Sequence, residues 1–284
     1  MSGLNGRSKI IASMLIWGSV GIFARFSTLD GLSLAFLRVL IGSGMFLLFS
    51  LRDGEWLRRA FSSVRPKIGQ VFLLGLALAL NWAFFFSAVL YTTIAKATLI
   101  YYLAPILVVL LAGLFLGERI TWERLFYVGM AFLGALMIVL QEKPSLSSSD
   151  FLGVLFALAG AFFYALVTLL GRHLRDVESD ALTFFQLVFA TMVLAPLALW
   201  RGLSLTPRAL AVSSLIALLH TFLALLIYMA GLKEVEAGEA ALLSYLDPLS
   251  AVLYAFLIFG EVPTAMTLAG GALILLASFF GSRR

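Results

Sequence analysis

Long apolar runs alternate with short polar links along the whole chain. Ten such runs stand out, at roughly residues 10–27, 33–51, 68–90, 95–116, 124–140, 150–170, 181–200, 208–230, 236–259 and 263–281. Each holds about 17–24 residues, enough to cross a hydrocarbon layer of about 30 Å at about 1.5 Å per residue. No stretch alternates in the manner of a barrel strand. A backbone in lipid must satisfy its own hydrogen bonds, so the runs are predicted to be helices. The first run follows Arg7 and Lys9, as a signal peptide would. No small-residue cleavage site follows it and nine further runs do, so it reads as a retained helix.

The runs also repeat. Residues 99–121, LIYYLAPILVVLLAGLFLGERIT, return at 242–264 as LLSYLDPLSAVLYAFLIFGEVPT, with eleven of 23 positions identical. IFAR at 22–25 corresponds to LLGR at 169–172, and FLR at 36–38 to FFQ at 184–186. The chain therefore divides into two halves of five helices, 1–143 and 144–284. Five is odd, so the second half enters the membrane from the opposite side. The expected fold is all-α, with ten transmembrane helices in two inverted repeats. Such repeats are a signature of secondary transporters, whose two halves exchange conformations about a central site. A duplicated scaffold without transport is the alternative.

Composition supports a bilayer as solvent: 62% of the 284 residues are apolar and 12% charged, against about a quarter charged in soluble domains. With no cysteine, disulfides, thiolate metal sites and thiol nucleophiles are excluded. The net charge of +5 lies in short links, which suits membrane orientation rather than nucleic-acid binding. With the N-terminus cytoplasmic, 14 Lys and Arg face the cytoplasm and 5 face outward, Arg38 lying within a span. Both termini are then cytoplasmic, although the link 52–67 supplies much of the bias.

Polar residues inside spans are the informative ones. Asp247 lies about 16 Å along its helix at about 1.5 Å per residue, near mid-depth and just before Pro248. Its repeat partner is Ala104. Arg38 pairs with Gln186 in the repeat, His220 with Ala77, and Asn81 with Ala224 and Leu225. Such unshared groups suit a substrate with two different ends. Asp247, His220 and Asn81 are expected to face a central cavity, with aromatic walls from Trp17, Trp82, Tyr101, Tyr102, Tyr164 and Tyr245. Arg38, Gln186, His220 and Asp247 are candidates for an ion pair or for ion coupling.

Each has a structural alternative. Arg38, about five residues from the outer end of its span, can snorkel to water. His220 can bond a neighbouring helix, and Trp82, Tyr127 and Tyr228 can pack or sit at the interface. Gly117-Glu118 and Gly260-Glu261 read as helix ends, with the Glu in water. The pairs Gly18/Gly21, Gly42/Gly44, Gly129/Gly134 and Gly270/Gly271 suit close helix packing.

FLRVLIGSGMFLL, AKATLIYYLAPILVVLLAGLFLGERIT and EAALLSYLDPLSAVLYAFLIFGE resemble the EamA-type members of the drug/metabolite transporter superfamily. The resemblance covers nearly the whole chain and is closest to bacterial amino-acid exporters, the aromatic amino acid exporter being the best-known type. It implies ten helices in inverted repeats, cytoplasmic termini and export of small metabolites from the inner membrane. Two other readings stand beside amino-acid export: efflux of cationic aromatic drugs or quaternary amines, and ion-coupled import through Asp247 and His220. An intramembrane enzyme has little behind it, with two histidines and neither HExxH nor a P-loop in the sequence. No cofactor or metal is expected. The partners are a small-molecule substrate and the bilayer, and one chain already holds both repeats, so a monomer suffices.

Overall fold

The computed structural model describes residues 4–27, 29–50, 53–92, 94–139, 150–203, 205–260 and 262–281, apart from a few side chains that include Arg25 and Lys96. The boundary at 143/144, Arg52, Lys143, Glu261, Arg283 and Arg284 lie outside the described residues.

Every regular element among the described residues is helical: α1 Gly6–Gly18, α2 Val20–Arg25, α3 Gly31–Ser50, α4 Trp56–Val64, α5 Ile68–Tyr91, α6 Ile94–Tyr101, α7 Ala104–Phe115, α8 Trp122–Val139, α9 Asp150–His173, α10 Ser179–Arg201, α11 Pro207–Ile216, α12 Ala224–Leu232, α13 Ala237–Ser244, α14 Leu246–Phe259 and α15 Ala265–Gly281. A π-helical turn, Ala217–Leu223, joins α11 to α12. By length and apolar character six helical stretches can cross a membrane, and Ala104–Phe115 and Ala265–Gly281 are shorter apolar helices. This is a multi-pass membrane protein. Its outer surface is apolar, with Leu48, Leu90, Leu114 and Phe126 exposed, and Trp122 and Trp200 stand out near helix ends as interfacial anchors do.

Among the described residues the predicted runs fall almost entirely on helix, but four are interrupted, at Ser19, at Tyr102-Leu103, at the π-helical turn and at Tyr245. The link 52–67 also departs from expectation. It contains α4, whose Ala60 and Val64 are buried while Leu57 and Phe61 are exposed. Arg58 and Arg59 share this amphipathic helix, and Trp56 Nε1 anchors it to Asp180 Oδ2 at 2.8 Å. A short basic amphipathic helix of this kind suits the membrane interface.

The most extensive packing joins the first half of the chain to the second: α5 with α9 and α10, α8 with α15, and α1 with α12 and α14. The halves are sequence units that interleave in space. Small residues make the approach possible. A Cβ on Gly134 would lie 2.5 Å from the Gly270 carbonyl oxygen, and the reverse holds for Gly270. A Cβ on Gly18 would lie 2.7 Å from the Asp247 carbonyl oxygen. The glycine pairs are otherwise less uniform than their spacing suggests, since Gly44 and Gly129 face open space. Gly134→Ala is therefore expected to cost about 1–3 kcal/mol through overpacking, read as a lower melting temperature in detergent. Gly129→Ala leaves that temperature unchanged or slightly higher, because Ala favours the helix and meets nothing.

Candidate substrate site

Proline breaks the helices within the duplicated segments. Pro105 and Pro248 stand in the first turns of α7 and α14 and lack the N–H that would bond four residues back. Each helix accordingly stops just before its proline, at Tyr102-Leu103 and at Tyr245. The Tyr245 hydroxyl donates to the carbonyl of Tyr102 at 2.9 Å, so one break satisfies a group left open by the other. Tyr245 is 0% exposed and serves as this tie, whereas it was expected as a wall residue.

Asp247 lies in the first turn of α14, where a helix N-terminus favours a carboxylate. Its carboxylate has no hydrogen bond or ion pair among the described residues; only its backbone carbonyl is engaged, by Ser250 Oγ at 2.8 Å. Tyr101, Tyr102 and Tyr164 are within electrostatic range of it. All four residues are surrounded by protein, yet each keeps accessible surface. The Tyr101 and Tyr164 rings meet edge to face at 5.7 Å. Asn81 holds Tyr101 in place, with Nδ2 2.9 Å from its hydroxyl and 2.8 Å from the Gly160 carbonyl. Asn81 is itself 2% exposed, so it supports the wall more than it forms it.

A second polar group is organised by the π-helical turn. There the Ala224 N–H reaches Leu219 instead of His220, and the His220 carbonyl becomes available to side chains. Trp17 Nε1 donates to it at 2.7 Å and Arg38 Nη2 at 3.3 Å. Arg38 Nε donates to Thr221 Oγ1 at 2.8 Å, and the guanidinium lies 4.0 Å over the Trp82 ring. Arg38 is 7% exposed, so it does not snorkel: Trp82, Thr221 and the freed carbonyl hold it inward. The His220 ring is sealed, with Nε2 2.9 Å from Ser19 Oγ, Phe23 against its edge and Nδ1 unpartnered. It contributes through its carbonyl, contrary to the expectation that its ring faces the cavity. Tyr228 is packed against Trp17 and bonded to Thr168. Gln186 is 0% exposed with both amide atoms unpartnered and bonds none of these groups. Thr221 and Ser19 carry no sequence signal, since their roles follow from the π turn and from the end of α1.

On one face, ion pairs join the first part of the chain to the second. Arg7 pairs with Glu239, Lys9 with Glu234, Arg124 with Glu236 and Lys67 with Asp176. The exposed Lys67 ammonium hydrogen-bonds the Asp176 carboxyl and holds it below the usual range. Glu118 is the centre of this face. Gly117 adopts φ 66°, as the helix-end reading expects, and so does Gly260 at 68°. The Glu118 carboxylate, however, is mostly covered. Its side chain is 10% exposed and accepts from the N–H groups of Ala237 and Gly238 at 2.8 and 3.1 Å, capping α13 across the halves. Arg172 Nε is 3.9 Å away, and its Nη1 donates to the Leu232 and Lys233 carbonyls. A charged cavity of about 880 Å³, lined by Glu118, Arg119, Arg172 and Glu236 among others, including Tyr127, opens on this face. On the opposite face no salt bridge joins the halves among the described residues; Arg208 Nε donates to the Phe26 carbonyl at 3.2 Å.

Comparison with known proteins gives this architecture a context. The uncharacterized transporter YxxF of Bacillus subtilis (strain 168) is 29% identical over 280 residues, covering 94% of this chain and 88% of its own length. The pseudopaline exporter CntI of Pseudomonas aeruginosa is 28% identical over 259 residues, 90% of this chain and 88% of that one. The S-adenosylmethionine uptake transporter of Rickettsia prowazekii is 23% identical over 281 residues, 98% of this chain and 92% of its own. A protein crystal structure, 20% identical, superposes with a TM-score of 0.84 over 98% of this chain and 99% of that one, so the fold is shared. The sequence pattern of the EamA-like transporter family matches residues 5–140 and again 151–283; the chain belongs to that family and is a membrane transporter.

Proposed function

We propose that the chain is an inner-membrane secondary exporter of amino acids, aromatic or apolar ones first, or of similar small metabolites. Ten spans in two inverted repeats carry it, with both termini on the cytoplasmic side, and it works by alternating access. The observation that carries this reading is Asp247, a mid-depth carboxylate without a protein partner, set at a helix break among Tyr101, Tyr102 and Tyr164. An unpaired charge at such depth is costly and needs a ligand to justify it. A substrate ammonium supplies the counter-charge, and the aromatic faces add cation–π attraction. The ion pairs on the Arg7 face suit a closed cytoplasmic gate, and the double family match supports the two repeats.

The same carboxylate among aromatics also suits a purely cationic aromatic substrate, and the uptake relative keeps proton-coupled import as the rival direction. Purified protein in proteoliposomes separates them. Counterflow of labelled amino acids, measured beside a cationic aromatic dye with and without a pH gradient, is expected for aromatic amino acids. Movement of the dye alone would reassign the cargo. A gradient that drives net uptake would reverse the direction.

A further inference from the structure

Asp247 accounts for only one end of a substrate. Arg38 is the other buried charge in this region, and it too lacks a counter-ion. Its Nε and Nη2 are committed to Thr221 and to the His220 carbonyl. Both partners are neutral, as is the Trp82 ring beneath the guanidinium. Nη1 has no hydrogen-bond partner among the described residues, and it is not among the sealed, unpartnered atoms of the interior. A guanidinium fixed on two sides with one edge free is the geometry that accepts a carboxylate or phosphate. The two charges do not pair with each other. Asn81 holds the Tyr101 hydroxyl, and Tyr101 is within electrostatic range of both Arg38 and Asp247.

We propose that Arg38 binds the anionic end of the substrate, so that the site reads two ends, Asp247 the cationic one and Arg38 the anionic one. The proposal rests on the reading of Asp247 as a substrate contact. It makes Arg38 a specificity-determining residue and the substrate a molecule with both charges, rather than a cation alone. Burial makes the discrimination strong, because a cation lacking the acid would leave the guanidinium desolvated and unpaired.

The test is ligand-induced thermal stabilisation of purified protein with phenylalanine, phenylalanine methyl ester and N-acetylphenylalanine, and separately with benzoate and benzylamine. The unaltered protein is expected to bind phenylalanine about tenfold or more tightly than its ester, the effect of a charge-assisted hydrogen bond. Arg38→Gln removes that preference while keeping the ester affinity, and it removes benzoate binding. Arg38→Lys keeps the charge and the cation–π contact and so retains part of the preference. Equal weakening of acid and ester in Arg38→Gln would mean a packing role only and would overturn the proposal. So would an unaltered protein that binds no benzoate. If benzoate binds through Arg38 and benzylamine through Asp247 while no amino acid binds, the two-ended site stands and the amino-acid cargo falls.

Discussion

Asp247→Asn protein is expected to insert, fold and lose transport. The substitution keeps shape and removes one charge, and the Asp247 carboxylate makes no bond to the rest of the protein that could be broken. Its melting temperature without substrate should stay the same or rise, since a buried, unpaired carboxylate destabilises the folded state. Binding is a different matter. Losing one member of a buried charge pair with the substrate costs about 2–5 kcal/mol, which is about 30-fold or more in affinity. Counterflow should fall to near background while the protein remains monodisperse. A variant that transports like the unaltered protein would remove Asp247 from the site.

Opening of the Arg7 face by Glu118→Ala is the second large effect. The Glu118 carboxylate satisfies two N–H groups at the start of α13 and offsets Arg172. Removing it leaves those donors without their carboxylate in the arrangement seen here. In the alternating-access cycle proposed above, the substitution acts on the equilibrium between closed and open forms more than on folding. Hydrogen bonds to a charged group contribute about 1.5–3 kcal/mol, so the open population should rise by about tenfold or more. The chain has no cysteine, which makes labelling clean. With Ser244→Cys, buried at the end of α13, as reporter, a membrane-impermeant maleimide should label Glu118→Ala at least about tenfold faster than the protein with Glu118 intact. Equal labelling rates would show that Glu118 caps a helix without holding the face shut. The surrounding ion pairs are more exposed and should matter less individually, as surface pairs contribute little.

Much of this was legible in the sequence. A lipid environment forces long apolar runs, so the helical membrane character and the duplicated segments follow from hydropathy and self-similarity alone. Asp247 stands out as a candidate for the same reason: a carboxylate in an apolar run has no solvent to hide in. The breaks at Tyr102 and Tyr245 were not legible: the runs 95–116 and 236–259 read as continuous helices, although Pro105 and Pro248 lack the N–H that a continuous helix needs.

What only the tertiary structure decided were the partners. Arg38 was close enough to the end of its span to reach water, and it turns inward because a π-helical turn a long way off in sequence opens the His220 carbonyl beside Thr221 and Trp82. His220 itself reads as a cavity residue by depth, yet neighbouring Ser19 and Phe23 seal its ring. Glu118 reads as a wet helix end, yet α13 of the other half brings two unsatisfied N–H groups to it. In each case depth along a helix is set by counting residues, whereas the direction a side chain faces, and what waits there, depends on how the interleaved halves pack.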